Sequence, residues 1–141
     1  MKHSLCFLLF LFTLSCSQKK QDKIVITENK EYKQSEMAAL MLKMYAVNLE
    51  NKKLILEGKS PEKFNQEFLN IHTAKLTDST DRNAAFKGFS DFYLKNYEML
   101  FESSKDSLKI NYNNTINSCI ACHKTTCIGP IPKIKKLLIK E

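Results

Sequence analysis

From Gln34 onward the chain places apolar residues at helical spacing. Met37, Leu40, Met41, Met44 and Tyr45 stand at i, i+3, i+4, i+7 and i+8, on one face of a helix that should reach about Leu56 before Gly58 stops it. Ser60-Pro61-Glu62 then offers an N-cap, a first-position proline and an acidic first turn, predicting a second helix with Phe64, Phe68 and Ile71 on one face. The polar stretch Thr77 to Asp81 breaks the pattern. Ala85, Phe86, Phe89, Phe92, Tyr93 and Leu100 mark a third, aromatic helix to about Ser103. A fourth begins near Ser107, where Tyr112, Ile116, Cys119, Ile120 and His123 fall at offsets of 0, 4, 7, 8 and 11 and share one stripe. Short connections make sequential helices neighbours, so the expected fold is all-α, an antiparallel four-helix bundle over residues 33–125.

The chain before this region has another texture. Met1-Lys2-His3 is a short basic start, Leu5 to Leu14 is an apolar run broken only by Thr13, and Ser15-Cys16 leads into a polar stretch. Ten residues cannot cross about 30 Å of hydrocarbon as a helix, so residues 1–15 read as a signal peptide. Leu14-Ser15-Cys16 resembles the lipobox of bacterial lipoproteins, with Thr13 where leucine is usual, and implies lipidation of Cys16 as the first mature residue. The alternative is an ordinary secreted protein cut near Ser15 or Ser17. Residues 16–32, polar apart from Ile24-Val25-Ile26, are expected to tether the domain to a membrane outside the cytoplasm.

The whole chain has 141 residues and a single-domain balance, and its three glycines and three prolines are too few for an all-β sandwich. Its formal charge is +7, falling to +6 once Lys2 is removed with the signal. Arginine occurs only at Arg82 and the lysines are dispersed, which argues against a nucleic-acid partner.

Cysteine changes the picture most. Cys6 would leave with the signal, and the last helix carries Cys119-Ile120-Ala121-Cys122-His123, a C-x-x-C-H attachment site for c-type haem. Two thiols a helical turn apart can reach the two vinyl groups of one porphyrin, and the adjoining imidazole can then approach the iron as proximal ligand. Other readings stay open. A thioredoxin-like redox pair expects a βαβ context. Zinc held by Cys119, Cys122, His123 and Cys127 would need an unusual spacing, and a disulfide among these thiols is compatible with export.

The motif lies late, with 18 residues after His123 and no methionine among them. An export signal, some 100 helical residues and C-x-x-C-H at the end of the last helix together resemble the class II cytochromes c, the cytochrome c-prime and cytochrome c-556 group. The resemblance covers about Gln34 to Lys124. It implies one covalent haem c packed among four helices, His123 as proximal ligand, and a distal face covered by the first helix.

Met41 and then Met37 are the sixth ligands it suggests, with Met44 a further distal candidate and Leu40 an apolar cover for five-coordinate iron. Met99 is expected in the core, and His72 at the surface or hydrogen-bonded. In place of a basic residue common before the first haem cysteine stands Asn117-Ser118. The segment Cys127 to Glu141 extends past the usual end and is expected to pack as a cap.

The function expected is single-electron transfer by Fe(II)/Fe(III) cycling in the bacterial cell envelope, without bond-making catalysis. Redox proteins of the envelope, the membrane through the lipid on Cys16, and a second copy in a homodimer are the expected partners. A five-coordinate protein binding or sensing a gas such as nitric oxide is the alternative. Peroxidase chemistry lacks a distal acid–base pair beyond His72.

Overall fold

The computed structural model describes residues 33–140. The signal segment, Cys16 and the tether lie outside the described residues, which belong to one compact unit, Tyr32–Glu141. Every regular element among them is helical.

Helix α1 spans Glu36–Leu56. Ser35 caps its start by accepting the Ala38 N–H at 3.1 Å. Gly58 ends it at φ 75°, which lets the Lys59 N–H reach back to the Leu54 carbonyl at 2.8 Å. α2 spans Ala84–Phe101, capped by the Asn83 side chain on the Phe86 N–H at 3.0 Å, and α3 spans Leu108–His123. α3 ends at His123, so the C-x-x-C-H sequence closes it.

The second expected α-helix is replaced. Residues 59–65 run without regular structure, Pro61 is buried rather than opening a helix, and a 3₁₀ helix covers Gln66–His72. Its cap is Asn65, whose side chain accepts the Glu67 N–H at 3.1 Å. Three residues per turn align Phe68 with Ile71, so this tighter winding buries both without an α-helix.

Tyr97, completely buried, is the hub of the aromatic core. Its ring centroid lies 5.0 Å from those of Phe64, Phe68 and Phe101, and 5.7 Å from that of Tyr93. Phe92 and Met99 lie on the outer side of α2, 51% and 42% exposed, and for Met99 this overturns the expected place in the core.

Hydrogen bonds set the directions of the helices. Asn111 donates to Ser103 Oγ and Thr115 to the Asn96 carbonyl, so α2 and α3 run antiparallel. At the other end of α2, Arg82 binds the carbonyls of His72 and Ala74. Met37 N–H donates to the Lys75 carbonyl at 3.0 Å, and Glu36 accepts the Lys75 N–H at 2.9 Å. The beginnings of α1 and α2 and the end of α3 therefore meet at one end of the fold. Consistent with that direction, Tyr112, early in α3, bonds Asn48 in the second half of α1.

The last segment is a packed cap, as expected. Helix α4, Ile131–Ile134, and a 3₁₀ turn, Lys135–Leu137, bury Ile134, Leu137 and Ile139. Asn113 clamps Ile139 twice, donating to its carbonyl and accepting its N–H, each at 2.9 Å. Lys52 Nζ donates to the Lys136 and Leu138 carbonyls at 2.9 Å.

Candidate functional site

The last five residues of α3 carry the chemistry. Ile116 and Ile120 on the same stripe are buried and fix the rotation of the helix. That rotation leaves Cys119, Cys122 and His123 partly buried, at the margin of the core rather than inside it. Cys119 packs against the core, and its thiol donates weakly to the Thr115 carbonyl at 3.4 Å. Burial, helped by the neighbouring Cys122 thiol, pushes the Cys119 thiol up to about 12, and burial raises that of Cys122 as well. Both groups are thus held as neutral thiols near neutral pH.

His123 ends the helix with its ring anchored. Its Nδ1 lies 2.8 Å from the Cys127 carbonyl. A carbonyl only accepts, so Nδ1 carries a proton, and in the neutral ring Nε2 keeps its lone pair. The turn between them is stitched by the Thr125 N–H and hydroxyl, which both donate to the Cys122 carbonyl, at 3.0 and 2.8 Å.

This donor set fits a covalent haem c: two free thiols three positions apart on one helix, and an imidazole with its second nitrogen available. The fit is one of donors rather than of a ready-made cavity. A groove of about 610 Å³ between α1 and the 3₁₀ helix is lined by Leu40, Lys43 and Glu67, and one of about 550 Å³ beside α2 by Phe64, Leu94 and Phe101. Neither is lined by the motif. Among the described residues no three His, Cys, Asp or Glu side chains converge as a metal site, and Cys119, Cys122 and Cys127 are free thiols.

The distal candidates lie in the half of α1 that shares the motif's end of the fold. Met37, Leu40 and Met44 are buried in the common core with Ile120, and Met41 packs against that core half-buried. His72 is partly exposed on the 3₁₀ helix, with Nε2 3.5 Å from Asp91 Oδ1.

Sequence reasoning missed a polar group near the motif. Asn48 and Asn51 of α1 are buried among Tyr93, Tyr97 and Tyr112. Asn48 Oδ1, Asn51 Nδ2 and the Tyr93 and Tyr97 hydroxyls have no hydrogen-bond partner. Burial, then the nearby Cys119 thiol, drives the Tyr93 phenol well above its ordinary range. Asn48 and Asn51 stand four and seven residues after Met44, so the period that runs through the methionines already pointed inward at them.

Comparison with known protein families, with curated proteins and with solved structures finds no match. No described helix is long and apolar enough to cross a membrane.

Proposed function

We propose that this chain is a monohaem c-type cytochrome that carries single electrons in the bacterial cell envelope. The observation that carries the reading is the state of the motif. Two neutral thiols share the last turns of α3, beside a histidine whose Nδ1 is engaged and whose Nε2 is free to coordinate.

When bound, the haem supplies one-electron cycling of its iron. Cys119 and Cys122 would hold it as thioethers. His123 Nε2 would donate to the iron, and the Cys127 carbonyl orients that ring. The buried side chains of α1 would help to exclude water from the group, and Met41 or Met37 would be a further ligand. The three long helices and the 3₁₀ segment form an all-helical frame that carries the motif at the margin of its core. Anchoring through lipid on Cys16 belongs to the same proposal and rests on the lipobox alone.

A gas-binding role is the second reading, favoured by Leu40, which is buried on the same face as the methionines. Mass spectrometry of the exported, denatured protein tests the first claim: haem should remain covalently attached, and should be lost in Cys119→Ala/Cys122→Ala. The ferrous absorption spectrum with and without carbon monoxide then separates the two roles. A low-spin spectrum indifferent to the gas supports electron transfer, and a shifted high-spin spectrum supports gas binding.

A further inference from the structure

His123 is oriented by a segment that lies beyond the helix carrying it. The Cys127 carbonyl belongs to a short connection fixed at both ends. Upstream, the Lys124 N–H bonds the Ile120 carbonyl at 3.1 Å and Thr125 is tied to Cys122. Downstream, the Ile131 N–H bonds the Ile128 carbonyl at 3.1 Å, and the Pro130 carbonyl accepts from Lys133 and Ile134 at 3.0 Å. The cap that follows is fastened to α1 by Lys52 and to α3 by Tyr112 and Asn113, with Ile134, Leu137 and Ile139 buried beneath it.

A solvated imidazole in its neutral form favours the proton on Nε2, the nitrogen a metal needs. The contact with Cys127 reverses that preference. We propose that residues 127–139 form a proximal brace that holds His123 as the Nδ1–H tautomer with Nε2 free, presetting it as a ligand before any cofactor is attached. The inference rests on the cytochrome reading for the use of that nitrogen, but the brace itself is a property of the polypeptide. A carbonyl acceptor on Nδ1 also increases the electron donation of a ligated imidazole, which stabilises the more oxidised metal.

The test uses the full chain, free of haem and with its thiols reduced, labelled with nitrogen-15 at histidine. At a pH where His123 is neutral, its two ring nitrogens should report the Nδ1–H form as the major tautomer. Asn113→Ala combined with Lys52→Met removes the clamp on Ile139 and the ties to Lys136 and Leu138, and leaves the motif untouched. In that variant the tautomer ratio should move several-fold toward Nε2–H, and in haem-loaded protein the midpoint potential should rise.

An Nε2–H majority in the parent chain, or an unchanged ratio in the double variant, would overturn the brace. A second variant ending after Gly129 removes the cap outright and should give the same shift, with the helical circular dichroism of α1 to α3 as its control. The outcome is separable from the cytochrome reading. Nδ1–H tautomer without covalent haem on export would leave the brace standing and remove the function proposed for it.

Discussion

The Tyr112 hydroxyl lies 2.8 Å from the carbonyl of Asn48 and 3.1 Å from that of Leu137, so one proton bridges α3, α1 and the C-terminal cap. The residue is completely buried, and no water competes for these acceptors. It joins α3 to both elements that flank it.

Tyr112→Phe should therefore cost about 1–3 kcal/mol, because it strands buried carbonyls while keeping the ring. Tyr93→Phe is the matched comparison. Its hydroxyl is buried beside Asn48 but makes no hydrogen bond of good geometry, so the change should stay within about 0.5 kcal/mol of neutral. Urea unfolding of both variants measures the difference.

Alkaline pH should weaken the fold of the haem-free, reduced chain over a defined range. Burial raises the Cys119 thiol from 9.0 to about 12 and lifts the phenols of Tyr93, Tyr97 and Tyr112 above their ordinary range. The folded chain thus holds these protons more tightly than the unfolded chain. Their stabilisation is complete below about pH 9 and is lost as the pH climbs toward about 12. Urea midpoints should be flat up to pH 9 with respect to these groups and fall beyond it, less steeply in Tyr93→Phe.

Thiol reactivity should follow burial. At pH 8 a thiol raised to about 12 is ionised in only about one molecule in ten thousand. Iodoacetamide should modify exposed Cys127 first, Cys122 next and Cys119 last in the haem-free folded protein, read by peptide mass against time. Equal rates at all three would contradict this order of burial.

The distal face can be resolved by single substitutions. Met37→Leu, Met41→Leu and Met44→Leu conserve volume, so each should cost less than about 1.5 kcal/mol. If methionine ligates, one of the three alone should convert a low-spin haem into one that binds carbon monoxide. Three unchanged low-spin spectra would exclude these methionines.

The Arg82 guanidinium spans the carbonyls of His72 and Ala74 and sits 5.3 Å from the centre of the Phe86 ring. Lysine cannot reproduce that fork. Arg82→Lys should lower stability by about 1 kcal/mol and speed amide exchange at Met37, whose N–H bonds the Lys75 carbonyl.

How much was legible varied with the kind of signal. The periodicity of Met37, Leu40 and Met44 located α1, and that of Tyr112, Ile116 and Ile120 located α3, because a long apolar stripe is buried whatever its partner. Ser60-Pro61-Glu62 misled, since capping chemistry is local and the 3₁₀ helix Gln66–His72 buries Phe68 and Ile71 instead. Met99 misled for a related reason: apolar character does not say which side of α2 finds a neighbour.

By itself the sequence determined an all-α chain, the spacing of two cysteines and a histidine on its last long helix, and the inward period of α1. Those depend on residue type and helical pitch, which are local. Only the tertiary structure decided that the Cys127 carbonyl reaches His123 Nδ1, that the C-terminal cap is clamped by Asn113 and Lys52, and that buried tyrosines surround Asn48. Such contacts depend on where the chain returns after each turn, and a carbonyl acceptor leaves no mark in residue identity.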